Sequence, residues 1–180
     1  MAKKQHTEEK GLAPVLALVL AWLVPGLGHV YIGRTVRGVI LFITIGVLFW
    51  TGVAMGGVLT VDAQRSRGWF YAQMLTGAHG VASWYRQRGV YEQVETEIAD
   101  KYGQSYPPGT RGRPQRVDAV LARQGLALAH PVEPAARAYS GVAGLLNLLA
   151  IFDAMMLAML GRTGEPPPAE DEKPHKEART

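Results

Sequence analysis

The stretch "VPGLGHVYIG", residues 24–33, ends a run of apolar residues with a proline, three glycines, a histidine and a tyrosine. Proline lacks an amide hydrogen and glycine tolerates backbone conformations that other residues avoid, so an apolar helix should stop here. A short basic turn follows, and a second apolar run begins after it. We therefore predict the polar corner of a helical hairpin. Its candidate functional or packing residues are Pro25, Gly26, Gly28, His29, Tyr31, Gly33 and Arg34.

Three apolar runs, residues 12–32, 39–60 and 139–160, dominate the 180-residue chain, and together they contain one formally charged side chain, Asp153. Each run has about twenty residues, which is long enough to cross a hydrocarbon core of about 30 Å. The sequence therefore predicts an all-α integral membrane protein, with a helical hairpin and one further transmembrane helix. A cleaved signal peptide is an alternative for the first run, because three lysines precede it.

The chain divides into six predicted segments. Residues 1–11 form a polar tail, residues 12–60 the transmembrane hairpin, and residues 61–90 an interfacial amphipathic helix or a weak fourth span. Residues 91–138 form an extramembrane helical segment, residues 139–160 the final transmembrane helix, and residues 161–180 a disordered tail rich in proline and charge. In the third segment, arginines and aromatic residues flank an apolar stretch that has a narrow polar stripe of Gln73, Thr76 and Ser83.

The extramembrane segment carries two amphipathic helical patterns. Two short helices cannot enclose a core of their own, so we expect them to rest on the membrane surface or on a partner. The apolar positions are Tyr91, Val94 and Ile98 in the first pattern and Val117, Val120 and Leu121 in the second.

Charge distribution favours three spans over four. With three spans, the amino-terminal tail and residues 61–138 share one side and hold 13 of the 19 Lys and Arg residues. The positive-inside rule then places that side in the cytoplasm. With four spans the basic residues divide almost equally and give no orientation.

Polar and small residues inside the spans are further candidates. Gly52 and Gly56 stand four apart on one helical face, which permits close approach of another helix. Asn147 and Asp153 lie in the last run, where unpaired polar groups are costly, so they should face protein or water. We expect Asp153 to contact either Asn147 or the glycine-rich corner. The alternative is that Asp153 lies near the end of its span and reaches the interface.

The corner resembles the two-transmembrane-helix hairpin domain called TM-two. In addition, "VAGLLNLLAIFDA", residues 142–154, is similar to the end of an uncharacterised bacterial membrane protein family, a domain of unknown function. These resemblances imply a bacterial membrane protein and supply no activity. The hairpin family's corner faces the cytoplasm, opposite to the orientation that the charge distribution gives. The matching corner positions are Gly26, Gly28, His29, Tyr31, Gly33 and Gly38.

Three functions follow from these features. The first is a non-enzymatic multi-pass protein of the bacterial inner membrane with an assembly or scaffold role. The second is a small oligomeric pore or transporter component that uses Asn147 and Asp153. The third is a membrane enzyme in which His29, His79 or Asp153 acts as acid or base.

Partners and cofactors follow from the same features. The expected partners are the lipid bilayer and a protein or a second copy of the chain, bound through transmembrane helices. Nucleic acid is not expected, because "TRGRP" at residues 110–114 is too short to indicate DNA binding. The chain has no cysteine, and its histidines lack the spacing of metal ligands, so we predict no cofactor and no metal.

Overall fold

The computed structural model describes residues 5–63, 66–103, 110–125 and 132–165, and this part of the chain is helical throughout, without strands. The all-helical class predicted from the sequence is therefore confirmed for these residues. Predictions for residues 1–4 and 166–180 lie outside the described part. The α-helices are α1 (Gln5–Leu23), α2 (Leu27–Tyr31), α3 (Thr35–Gly56), α4 (Arg67–Met74), α5 (Ala78–Tyr102), α6 (Arg113–Arg123) and α7 (Glu133–Met159), with one 3₁₀ turn at Val58–Thr60.

Two of these helices, α3 and α7, are long and apolar enough to cross a membrane, and the apolar part of α1, Ala13–Leu23, is shorter. Large apolar side chains cover the outer surfaces of all three, and most of the apolar stretch of α3 and of α7 is not buried inside the protein. This architecture is consistent with a helical membrane protein, because the hydrocarbon of a bilayer is the environment that accepts such surfaces. Examples of exposed side chains are Val19 and Trp22 on α1, Ile40, Ile43 and Val47 on α3, and Leu149 and Phe152 on α7.

The glycine pair on α3 brings α3 against α7. A Cβ atom at Gly52 would lie 2.6 Å from the carbonyl oxygen of Ala136, and one at Gly56 would lie 2.6 Å from the Cβ of Ala136. Both glycines are buried, so the two backbones approach more closely than larger residues would allow. The pair predicted for helix packing thus joins two helices of the same chain.

Helices α4 and α5 form a hairpin that dips beside α7 and returns. Along α4, Trp69 lies against Gly141, Ala72 against Gly144, and Leu75 accepts a hydrogen bond from Asn147. Later residues of α4 contact later residues of α7, so the two helices run parallel. After the turn, α5 passes α3 and returns to Asp62, whose carboxylate accepts a hydrogen bond from the Tyr91 hydroxyl at 2.6 Å. Both ends of the hairpin therefore lie at the level of Asp62, beyond the end of α3.

The sequence had left residues 61–90 open between an interfacial helix and a weak span. The structure divides the segment between two helices and a turn at residues 75–77. Gly77, at the tip, has φ of 60°, and a Cβ atom there would overlap the carbonyl oxygen of Trp22 at the end of α1. Glycine is required here both by the left-handed backbone and by the lack of space.

The outer half of α5 packs against α6 around a small apolar core, which also includes Leu59 of the 3₁₀ turn. We had expected these two short helices to rest on the membrane surface or on a partner, but their apolar faces cover one another. Leu59 also contributes to this core, because the 3₁₀ turn after α3 packs against the two helices. The core residues are Leu59, Val94, Ile98, Val117, Val120 and Leu121.

The beginning of the carboxy-terminal tail returns to the corner. The amide of Gly164 donates a hydrogen bond to the carbonyl oxygen of Ile32 at 2.8 Å, and the Glu165 carboxylate accepts one from the amide of Val36 at 2.8 Å. The second bond satisfies a free amide at the start of α3. The remainder of the segment predicted to be disordered lies outside the described residues.

Candidate functional site

The corner consists of the short helix α2 between two glycines with positive φ. Gly26, with φ of 82°, precedes α2, and Gly33, with φ of 84°, follows it. Pro25 is buried in the turn after α1. A Cβ atom at Gly26 would overlap the carbonyl oxygen of Gly38 in α3, so the two sides of the corner are in backbone contact. The proline and glycines therefore set the path of the chain, and the polar side chains of α2 and α3 are positioned by it.

Gly28 lets α2 pack closely against both α1 and α7. A Cβ atom at this position would overlap the carbonyl oxygen of Ala17, would lie 2.7 Å from the Cβ of Ala21, and would also contact Ala154. These neighbours are helix backbone and small, buried side chains, which cannot move away easily. Close packing at Gly28 places the next residue, His29, beside the last turns of α7.

His29 forms the centre of a polar cluster at the corner. Its side chain is 0% exposed, and its Nε2 lies 2.7 Å from Oδ2 of Asp153. A guanidinium nitrogen of Arg37 lies 3.0 Å from the same oxygen, and this arginine is half exposed. The cluster thus extends from a buried imidazole to a cation at the surface. It joins α2, α3 and α7 electrostatically.

The two rings of the corner differ in exposure. His29 is fully buried, whereas Tyr31 is 45% exposed. Asp153 supplies a hydrogen-bond partner for Nε2 of His29 from a helix distant in sequence, which lowers the cost of burying the imidazole. Its Nδ1 has no hydrogen-bond partner among the described residues. Arg34, the residue before α3, is partly buried, and its Nε has no partner in the same part of the chain.

Asn147 ties two other elements to α7. It is 0% exposed, and its amide nitrogen donates to the carbonyl oxygens of Ala21 at 3.2 Å and Leu75 at 2.8 Å. Those carbonyls belong to the last turn of α1 and to the end of α4, where the helix leaves carbonyl groups without partners. One side chain therefore holds both α1 and the α4–α5 hairpin in place. The structure does not bring Asn147 into the cluster of His29 and Asp153 by any hydrogen bond.

A second buried polar cluster involves residues that the sequence reading assigned to an interfacial stripe. The Gln73 amide nitrogen donates to the Ser140 hydroxyl at 2.7 Å and to the carbonyl oxygen of Thr60 at 3.1 Å. Gln73 and Thr76 are each 0% exposed. The polar stripe was the sequence signal for these residues. Gln73 contacts α7 through Ser140, beside Gly141 and Gly144, which leave room for α4.

His79 is placed apart from the corner. It lies on the first turn of α5 among the rings of Phe42, Phe49 and Trp50, with centroid distances of 6.0 to 6.2 Å. No described contact joins it to His29 or Asp153. Within the residues that the structure describes, no group of three His, Asp or Glu side chains could hold a metal ion. At the corner, the described contacts of Asp153 with His29 and Arg37 attach α2 and α3 to α7.

Comparison with known proteins gives a family. Neither the curated proteins nor the solved structures include a match to this chain. Residues 16–166, which contain the hairpin, the corner, both buried polar clusters and the last helix, match one sequence family. The chain belongs to DUF6677, a family of unknown function.

Proposed function

We propose that this protein is a non-enzymatic, multi-pass protein of the bacterial inner membrane that acts as an assembly factor or scaffold. In this proposal α1, α3 and α7 cross the bilayer, and the α4–α5 hairpin enters and leaves from the side that carries α6. Exposed apolar side chains on all three crossing helices support the proposal. The excess of basic residues on the side of α6, 13 of 19, supports a cytoplasmic location for that side.

The observation that carries the scaffold role is the use of buried polar side chains as connections between helices. Asn147 joins α7 to α1 and α4, Gln73 joins α4 to α7 and the 3₁₀ turn, and the buried His29 joins the corner to Asp153 of α7. In an apolar environment such bonds fix one arrangement of helices, because separating them exposes unpaired polar atoms. A fixed membrane anchor is what the small α5–α6 unit needs in order to present its outer surface to a partner.

The contacts favour the scaffold over the two alternatives. A pore would require Asn147 and Asp153 to face a shared open path, whereas Asn147 is fully buried and donates to two backbone carbonyls. An enzyme using His29 would require a substrate to reach an imidazole that is 0% exposed. A pore that uses Asn147 and an enzyme that uses His29 would each need a rearrangement of the corner or of the α4–α5 hairpin.

Photo-crosslinking in native membranes tests the scaffold role. A photoreactive residue at Gln115 or Ala119, both exposed on α6, should give one discrete protein adduct. The same residue at Val47, on the outer face of α3, is the matched control and should crosslink to lipid. A scaffold predicts that the adduct disappears when Asp153→Leu loosens the anchor, with the remaining protein normalised for abundance.

A subunit count in mild detergent separates the scaffold from the pore. The scaffold should be a monomer or a complex with a different protein, whereas a pore lined by one or two polar residues per chain needs a closed ring of copies. Adducts that contain only copies of this chain, together with a ring-sized mass, would contradict the scaffold and favour the pore.

A further inference from the structure

A cavity of about 210 Å³ lies on α5 just beyond the end of α3, outside the polar clusters described above. Its lining includes Asp62 and side chains from one face of α5, spaced by three and four residues as a helical face requires. The α5 residues that matter for its chemistry are Trp84, Gln87, Arg88, Tyr91 and Glu92.

Gln87 is the first observation that points to a ligand. Its side chain is 3% exposed and lines the cavity, yet its amide makes no hydrogen bond to any residue that the structure describes. The amide borders the open space of the cavity, where a bound molecule can reach it. The amide offers one acceptor oxygen and two donor hydrogens, so a ligand that carries both kinds of group would satisfy it.

The charges around the cavity form the second observation. Arg88 and Glu92 are one helical turn apart, the spacing at which opposite charges on a helix commonly pair. In the described residues they make no ion pair with each other or with a third side chain. The Arg88 guanidinium instead lies over the Trp84 ring, 5.6 Å from its centroid. An unpaired cation and an unpaired carboxylate thus border the same small cavity.

We propose that this cavity binds a phosphoethanolamine group. The primary ammonium would donate hydrogen bonds to the Glu92 carboxylate and to Oε1 of Gln87, and Arg88 would bind the phosphate through its planar guanidinium. The Asp62 carboxylate, held by the Tyr91 hydroxyl, adds negative charge at the ammonium end. A quaternary ammonium has no hydrogen to donate, so a choline group would leave both Glu92 and Gln87 without hydrogen bonds.

Phosphoethanolamine occurs as a lipid headgroup and as a soluble molecule, and the position of the cavity favours the lipid. Asp62 follows the apolar helix α3 after a single 3₁₀ turn, which is the level at which a headgroup would lie. The lipid source rests on the membrane location in the proposed function, whereas binding of the soluble molecule does not. Testing both forms therefore separates failure of the site from failure of the membrane topology.

Binding is measured on the purified full chain in mild detergent with short-chain phosphatidylethanolamine, short-chain phosphatidylcholine and soluble phosphoethanolamine. We expect the ethanolamine lipid to bind about tenfold more tightly than the choline lipid, the ratio expected for losing hydrogen bonds to a charged group. Binding of soluble phosphoethanolamine without the lipid would support the site and assign it a soluble ligand. Equal affinity for the two lipids, with no binding of the soluble form, would overturn the proposal.

Two variants test the assigned contacts. Glu92→Gln removes the carboxylate from an exposed position and should weaken ethanolamine binding about tenfold, without affecting the fold. Gln87→Leu should weaken it too, and its helical circular dichroism shows whether it is folded. The matched control is Asp100→Asn, the same loss of charge at an exposed position of α5 away from the cavity. Unchanged binding in Glu92→Gln would overturn the proposal even if Gln87→Leu fails to fold.

Discussion

Nε2 of His29 lies 2.7 Å from Oδ2 of Asp153, and the two residues are 124 positions apart in the chain. The contact fastens the corner of the helical hairpin to the last turns of α7. It also explains how an imidazole can be completely buried at the end of an apolar helix, because the carboxylate supplies a partner for one ring nitrogen.

The first prediction concerns Asp153. Asp153→Asn keeps an oxygen that accepts from His29 and loses only the ion pair with the half-exposed Arg37, which should cost no more than about 1 kcal/mol. Asp153→Leu leaves the buried imidazole without its partner and should cost about 1–3 kcal/mol. The midpoint of denaturant unfolding in detergent micelles measures both. Asp100→Asn is the control, and equal stability of both Asp153 variants would contradict the connecting role of this contact.

The second prediction concerns packing at Gly28. Gly28→Ala introduces a Cβ atom that overlaps the carbonyl oxygen of Ala17, so α2 must move away from α1 and α7. We expect a clear fall in the amount of protein in the membrane. Gly68→Ala is the matched control, since no heavy atom lies within 4 Å of the added Cβ and the residue lies in a helix. If both variants lower the amount of protein in the membrane equally, the close contact at Gly28 is not the cause of the loss.

The third prediction separates the corner's shape from the chemistry of its histidine. His29→Gln offers an amide hydrogen to Asp153 but lacks the ring, so a purely connecting histidine should be replaced with a small loss of stability, about 1 kcal/mol. The measurement compares membrane abundance with retention of the protein that crosslinks to α6. Stable His29→Gln protein that no longer forms this adduct would assign His29 a role beyond joining helices.

The fourth prediction concerns topology. Gly68 and Gly89 lie near the two ends of the α4–α5 hairpin and have open space around them. Cysteines placed singly at these positions in this cysteine-free chain should both be labelled by an impermeant reagent from the same side of the membrane. A cysteine at Thr163 should be labelled from the opposite side. Labelling of the two hairpin positions from opposite sides would show a fourth span.

The fifth prediction concerns Asn147. Asn147→Leu removes the donor for the carbonyls of Ala21 and Leu75, so the tip of the hairpin should separate from α1 and α7. A cysteine at Thr76, which is 0% exposed, should then react at least about tenfold faster with a small thiol reagent, as expected when about 1.4 kcal/mol of docking energy is lost. Unchanged reactivity would show that the glycine contacts alone hold the hairpin.

The local features of the fold could be predicted from the sequence, and its long-range contacts could not. Hydropathy located the apolar helices, and helical periodicity placed Val94 and Ile98 on one apolar face, because both signals are contained in one segment. That this face packs against α6 in a core was not predicted. The hairpin escaped prediction because the room for α4 is made by Gly141 and Gly144, far along the chain. Prediction of the candidate site was limited in the same way, because its contacts are also long-range. The corner was visible as a motif, but burial of His29 depends on a carboxylate in another helix.

Because α4 packs against Gly141 and Gly144 of α7, it can dock only after α7 has been synthesised. Ala72 packs against Gly144, a residue that the ribosome adds 72 positions later. While residues 67–91 leave the ribosome, the surface that receives them has not yet been made. In the proposed topology, synthesis of the last helix is therefore the step that completes the membrane part of the protein.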